Sequence, residues 1–327
     1  MLVIESPYTD AYFNIASEEY LLNRFPTEDI FLLYVNAPSI IVGKFQNTLA
    51  EINLDYVEDN KIDVVRRLSG GGAVYHDLGN LNFSFHTLLG NNDFTEFATF
   101  TQPVINLLQR IGVSAKLEGR NDLLVDGKKF SGNAKTVKKG KMLQHGTILL
   151  NSDMSVLADA LKVNPLKFTH KAVKSNRGRV TNLIDHFPAD FQLGQFKSML
   201  IDEILHASTD SKQYQFTAED VEEIRRLALE KYSTWEWNFG FSPDYNFNKA
   251  IKIPAGFIEI HLDVHKGTIE QAKIYGDFFS SRPIEELEAV LIGKKHDPQA
   301  IGQVLMNVDL PIFFGKVTTE ELLPLFY

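Results

Sequence analysis

The segment Arg66-Arg67-Leu68-Ser69-Gly70-Gly71-Gly72-Ala73-Val74-Tyr75-His76-Asp77 constrains the fold more than any other part of the chain. Its three glycines fall between two strand-like runs, Val64–Arg66 and Ala73–Tyr75. Without Cβ atoms the backbone there can approach a ligand closely and turn its N–H groups inward, which suits phosphate. Arg66 and Arg67 add the positive charge that a polyphosphate needs. No Gly-Lys-Ser/Thr follows, so this is not a P-loop, and no helix opens after it, so it is not a dinucleotide fingerprint. A wide hairpin loop without a ligand is the alternative that the glycines alone leave open.

The flanking sequence supplies a sheet. Leu2–Ile4, Ile30–Val35 and Ser39–Val42 read as strands, and Leu81–Phe85 alternates with period two. Helices are expected after a Thr9 or Asp10 cap, over 94–111, from Asp153 to about Leu161, over 192–207, and over 218–232 behind a Thr217 cap. Strands joined in hairpins with helices between them predict an α+β fold with a mixed sheet, not a doubly wound parallel one. The aromatic-rich stretch Thr234–Phe247 reads as a linker or docking strand. Beyond it, Ile258, Ile260, Leu262 and Val264 alternate with Glu259, His261, Asp263 and His265, and two short helices follow. The predicted division is a large unit over 1–245 and a small α+β unit over 246–327.

A second motif carries chemistry. Asp126-Gly127 is a two-residue hairpin signal. Pairing outward from it sets Val125 opposite Lys128, Leu124 opposite Lys129, Leu123 opposite Phe130 and Asp122 opposite Ser131. Alternation then places Asp122, Leu124, Lys129 and Ser131 on one face, and Leu123, Val125, Lys128 and Phe130 on the other. Lys129 thus shares its face with an acid and a hydroxyl, as an active-site lysine would. From the hairpin alone, two lysines solvating a turn remain the alternative.

His145-Gly146-Thr147 opens a strand, where a histidine is either structural or polar lining. The histidines at 261 and 265 read as a solvated strand face and not as a metal cluster. Ser69 and Ser131 lack a nucleophile-elbow context. The chain has no cysteine, which excludes disulfides, thiolate metal sites and cysteine nucleophiles, and fits a reducing, cytoplasmic compartment. The first residues do not read as a signal peptide, and no apolar run approaches the ~18 residues of a membrane span. With 33 Lys plus Arg against 42 Asp plus Glu, the net charge is −9, which argues against general nucleic-acid binding. Within this acidic chain, 135–141 and 162–179 are basic; the second reads as a long loop that covers a nucleotide phosphate, attracts an acidic partner or is merely solvated.

Taken together, RRLSGGGAVYHDLGNLNFSF, GRNDLLVDGKKFSGNAK, QHGTILLNSD, SNRGRVTNL and TWEWNFGFSPDYNF resemble the lipoate–protein ligases, with GKFQN (43–47) a further echo. The resemblance implies a mixed-sheet biotin/lipoate ligase catalytic domain, related to class II synthetase cores, followed by a small accessory domain. It implies two steps: lipoate attacks the α-phosphate of ATP to give lipoyl-AMP, and the lipoyl group then passes to a lysine. The implied acceptors are lipoyl domains of 2-oxoacid dehydrogenase acyltransferase subunits and the glycine-cleavage H protein. A monomer that binds neither nucleic acid nor membrane is expected.

Carried over by motif, Lys129 is the implied catalytic residue. Arg67, Gly72, Ala73, Val74, Tyr75, Asn121 and Asp122 would meet the nucleotide, and Asp122 would handle Mg2+. Ser69, Gly70, Gly71, His76, Ser131, Gly132 and His145 would line the lipoate site together with Lys129. Lys174, Arg177 and Arg179 would lie in a loop covering the adenylate. Octanoyltransferases share these motifs but use a cysteine thioester, which this chain cannot form. A biotin ligase fits less well because its glycine-rich motif differs in order. A non-catalytic lipoate or nucleotide sensor on the same fold is the alternative of another class, and turnover would distinguish it.

Overall fold

The computed structural model describes residues 1–46, 48–89, 97–119, 121–161, 180–187, 191, 193–206, 209–239, 247–265, 268–296 and 298–326. In chain order the strands are β1 (Leu2–Glu5), β2 (Ile30–Val35), β3 (Ser39–Val42), β4 (Asp63–Arg66), β5 (Val74–His76), β6 (Asn80–Leu88) and β7 (Ala115–Glu118). There follow β8 (Asp122–Val125), β9 (Lys128–Lys138), β10 (Lys141–Leu149), β11 (Lys212–Gln213), β12 (Phe247–Ile253), β13 (Gly256–His265) and β14 (Thr268–Gly276). Among the described residues these form three sheets. The largest runs β11-β1-β2-β6-β10-β9-β8-β7; a small one, β4-β3-β5, carries the glycine segment; β12-β13-β14 is the C-terminal sheet. β1 is parallel to β2 and β11, whereas β2, β6, β10, β9, β8 and β7 pair antiparallel in turn. The large sheet is therefore mixed, as its hairpin-rich sequence predicts.

The period-two pattern of β6 divides the large sheet into an oily and a polar face. Leu81, Phe83 and Phe85 pack with Val104 and Leu108 of the helix Ala98–Arg110 and with Phe196 and Leu200 of the helix Leu193–His206. On the other face Asn80, Asn82, Ser84 and His86 are buried. Buried polar groups are costly unless bonded. Here Asn80 Nδ2 donates to Asn82 Oδ1 at 2.8 Å, and Ser84 Oγ lies 3.0 Å from His86 Nε2. Helix α1 (Ala11–Arg24) lies on that side, since its Glu18 meets Tyr34 of β2 and His145 of β10. Its cap is Asp10, whose Oδ1 accepts the Phe13 N–H at 3.0 Å. Thr217 likewise caps the helix Ala218–Leu227, in a reciprocal capping box with Asp220.

One sequence expectation needs correction. The Asp126-Gly127 turn forms with both residues at positive φ, and Val125 faces Lys128 and Leu124 faces Lys129 as expected. A β-bulge then intervenes, so Leu123 faces Ser131 and Asp122 faces Gly132. The extra residue shifts everything beyond Lys129 by one position. Ser131 thereby turns to the buried side instead of sharing the face of Lys129.

The basic run 135–141 belongs to the large sheet. It closes a long β9–β10 hairpin through Lys139-Gly140, both at positive φ. Lys135 is fully buried, its ammonium 4.6 Å from the Phe97 ring centroid and 5.5 Å from that of Phe100. Lys141 donates to the carbonyls of Phe25 and Glu28 at 2.6 and 2.7 Å.

The C-terminal sheet has its own core, in which Ile258, Ile260 and Leu262 pack against Leu287, Ile301 and Phe314. It also reaches the glycine segment. Phe278 stacks on Phe45 with ring centroids 4.8 Å apart, and its carbonyl accepts the Gly71 N–H at 3.2 Å.

Candidate active site

The two arginines ahead of the glycines are spent on the backbone. Arg66 is fully buried, and its guanidinium donates to the carbonyls of Gly43, Lys44, Gln46, Trp237 and Asn238 and to Thr48 Oγ1. It ties three chain segments together and does not line the cleft, which corrects its expected role as a phosphate charge. Arg67 donates to Ile41 O at 2.9 Å, Gly70 O at 2.7 Å and Gly72 O at 2.8 Å, so it folds the glycine turn around itself. Burial pushes its guanidinium down to about 10, countered by the nearby Glu18 carboxylate, and it stays charged at neutral pH.

The turn needs its glycines. Gly71 has φ +92, and a Cβ on Gly70 would fall 1.9 Å from the Phe278 carbonyl oxygen. Gly71, Gly72, Ala73 and Val74 then form one wall of a cleft that Arg67 and His76 also line. The hydroxyl of Ser69, the Gly70 carbonyl and the Tyr75 ring lie behind that wall; Tyr75 packs in a separate core with Ile40 and Val42.

The opposite wall comes from the hairpins. Asn121, Asp122, Lys129, Gly132 and His145 all line it. Lys129 Nζ sits 2.8 Å from Asp122 Oδ1, so the face shared by these two survives the bulge. Asn121 is pinned through its Nδ2, which donates to the Asn133 carbonyl at 2.5 Å, while Asn133 Nδ2 donates to the Asn121 carbonyl at 3.1 Å. The backbone of Lys129 also pairs with Val180, and its carbonyl accepts the Thr181 N–H at 2.9 Å. These are the first described residues after the basic run, and they lie beside Lys129. Lys174, Arg177 and Arg179 themselves lie outside the described residues.

Two histidines stand on the polar face. His145 Nδ1 lies 2.9 Å from a Glu18 carboxylate oxygen, and its Nε2 lies 2.5 Å from Ser69 Oγ. The Tyr34 hydroxyl donates to the same carboxylate at 3.1 Å. His76 is 3% exposed, and burial, with Arg67 and His145 nearby, pushes its imidazole down to about 3.

Sequence reasoning missed five contributors. Glu18 sits in Ala-Ser-Glu-Glu-Tyr, which reads as an exposed helix turn; no local signal marks it. Thr147 and Asn82 line the cleft because β10 and β6 pair them, a long-range fact. Asp277 and Phe279 reach the cleft from the C-terminal unit, where nothing in the sequence ties them to the glycines. Among the described residues the result is a polar cleft with one lysine, two carboxylates, a neutral histidine and a turn of backbone held open by a buried arginine.

Comparison with known proteins identifies the family. The model of the lipoyl protein ligase A/B catalytic domain matches residues 10–205, and that of the bacterial lipoate protein ligase C-terminus matches residues 242–326. Lipoate–protein ligase 1 of Staphylococcus aureus is 46% identical over 318 residues, 97% of each chain. The lipoate-protein ligase LplJ of Bacillus subtilis is 45% identical over 331 residues, covering both chains completely. Among solved structures, P. falciparum LipL1 in complex with lipoate superimposes with a TM-score of 0.80 at 27% identity, over 94% of each chain. A lipoate-protein ligase A bound with ATP gives 0.60 at 30% identity, over 73% of this chain and 97% of that one. With its catalytic region matched by the family model and its whole length by close relatives, this chain belongs to the lipoate–protein ligase family.

Proposed function

We propose that this chain activates lipoate with ATP and transfers the lipoyl group to a lysine on lipoyl domains of 2-oxoacid dehydrogenase complexes or on the glycine-cleavage H protein. One observation carries the reading: Lys129, paired with Asp122, faces the Arg67-braced glycine turn across a single cleft. It is supported by relatives named as lipoate–protein ligases and by similar structures that hold lipoate and ATP.

In the first step a lipoate carboxylate oxygen forms a bond to the α-phosphorus, and the bond to the β-phosphate bridging oxygen breaks. Pyrophosphate leaves and lipoyl-AMP remains. No protein nucleophile is needed, so the rate comes from positioning and charge stabilisation. We assign Lys129, which lines the cleft, to neutralising charge between carboxylate and phosphate, and the backbone at Gly72, Ala73 and Val74 to contacting the adenylate. In the second step the acceptor ε-amine forms a C–N bond to the acyl carbon, AMP leaves, and the amine loses a proton. Asn121, Gly132, His76 and His145 border the same space, and we assign them to substrate positioning.

ATP brings a magnesium requirement by its chemistry. The described residues hold no group of three or more metal-ligating side chains, but Asp122 and Asp277 both line the cleft. That donor set fits Mg2+, which is held by one or two carboxylates together with substrate phosphates and not by an all-protein cage. Asp122 would hold it, and the ion would screen charge on the phosphates.

Incubation of the protein with ATP, Mg2+, lipoate and candidate acceptor domains, followed by mass spectrometry, tests the assignment. The expected result is a single lipoyl addition to one acceptor lysine. Pyrophosphate release without any acceptor modification would contradict direct transfer.

A further inference from the structure

Helix α1 and the Asn36-Ala37-Pro38 turn hold a chain of buried amides that ends on a cleft residue. Asn14 Nδ2 lies 2.9 Å from the Tyr8 carbonyl oxygen and 3.2 Å from that of Val35. Carbonyls only accept, so the amino group of Asn14 must face them. Its Oδ1 correspondingly accepts the Ser6 hydroxyl at 2.7 Å. The same amino group lies 2.9 Å from Asn36 Oδ1 and shares its two hydrogens among the three acceptors. That orients Asn36 in turn, with its own amino group 3.1 Å from His76 Nδ1. An amino group cannot accept, so Nδ1 of His76 must, and the ring hydrogen resides on Nε2. His76 Nε2 is buried without a partner among the described residues, and the ring lines the cleft.

His145 stands in contrast. Both its ring nitrogens are engaged within the protein, one by Glu18 and the other by Ser69. Of the two histidines, only His76 has a nitrogen left for a ligand. A donor whose tautomer is set in advance needs no reorganisation when charge develops on its acceptor. The depressed basicity of the ring keeps it neutral, so that it supplies a hydrogen bond and not a competing charge.

We propose that Asn14 and Asn36 are positioning residues that lock His76 in its Nε2–H tautomer, making it a fixed neutral donor to an oxygen of the bound acyl adenylate. The donor role rests on the ligase reading above; the lock does not.

The test uses full-length protein labelled with 15N in its histidine rings, without substrate, with the His76 signals assigned by their absence from His76→Gln. The expected spectrum shows Nε2 protonated and Nδ1 bare. In Asn36→Asp the carboxylate can only accept, so the hydrogen should move to Nδ1. Lipoate-dependent ATP–pyrophosphate exchange should then fall about tenfold in kcat, the loss expected for one neutral hydrogen bond, with KM for ATP little changed. His76→Gln, which restores an N–H near the Nε2 position, should retain more exchange than His76→Asn. A wild-type ring protonated on Nδ1, or on both nitrogens, overturns the lock. An inverted tautomer in Asn36→Asp with undiminished exchange overturns the donor role. Absence of exchange in the wild-type protein overturns the ligase reading instead, and the substrate-free spectrum still decides the lock.

Discussion

The ammonium of Lys129 lies 2.8 Å from the Asp122 carboxylate and is closely approached by the backbone of Gly132, where an added Cβ would fall 2.8 Å from the same ammonium. Gly132 is therefore the hydrogen-sized residue that lets Lys129 reach its place. Its φ is not in the left-handed region, so alanine there brings no backbone strain. Gly132→Ala should leave thermal stability close to wild type, because only the end of a flexible side chain must move. It should lower lipoate-dependent exchange by about tenfold or more, since misplacing a catalytic group by ~1 Å can cost a hundredfold. A melting curve and an exchange assay on the same sample check both halves.

Glu19 offers a stability test remote from the chemistry. It is buried beside Glu18 on α1, and bonds from Lys138, from Lys231 (2.6 Å) and from the Tyr232 hydroxyl (2.5 Å) converge on its carboxylate. Burial alone pushes the Glu19 carboxyl up, but those bonds outweigh it and hold the carboxyl down at about 2. A depressed carboxyl contributes stability that is complete above the unfolded value of roughly 4.5 and is lost as pH falls toward 2. Glu19→Gln should cost about 3 kcal/mol at pH 7 and should weaken the dependence of stability on pH in that acid window. Urea unfolding at pH 7 and pH 4 measures both effects.

Much of this arrangement is legible in the sequence, and what is not has identifiable causes. The Asp126-Gly127 turn is predictable because both residues tolerate positive φ, whereas Lys139-Gly140 makes the same turn with a lysine that no turn rule favours. The register shift between Leu123 and Leu124 leaves no local signal, so the pairing is right for Lys129 and wrong for Ser131. Arg66 and Arg67 look equivalent as letters. Their roles separate only because β4 ends between them, sending one into the bonds of Gly43, Gln46 and Asn238 and the other under the glycines. Glu18, Asn14 and Asn36 matter through partners far along the chain, which no window of sequence contains. The strands of the mixed sheet, by contrast, announce themselves by alternation, as β6 and β13 do.

Two buried histidines set a steeper pH dependence, closer to neutral pH. Burial pushes both His76 and His86 down to about 3. The unfolded chain takes up these protons near pH 6.5, so the stability they contribute is complete above that value and is lost as pH falls toward 3. Together they give a slope of up to about 2.7 kcal/mol per pH unit in that window. His86→Gln, away from the cleft lining, should roughly halve that part of the slope. Unfolding free energies at several pH values between 4 and 7 would show it, and an unchanged slope would mean that His86 is not held neutral by the fold.

The most direct measurement is lipoate-dependent ATP–pyrophosphate exchange in Lys129→Ala and Lys128→Ala, made side by side. Lys129 faces the cleft and pairs with Asp122, whereas Lys128 is exposed at the end of the hairpin. Exchange should be abolished by the first change and largely retained by the second. Equal loss from both, or full exchange without Lys129, would contradict the assignment of Lys129 to the chemistry of activation.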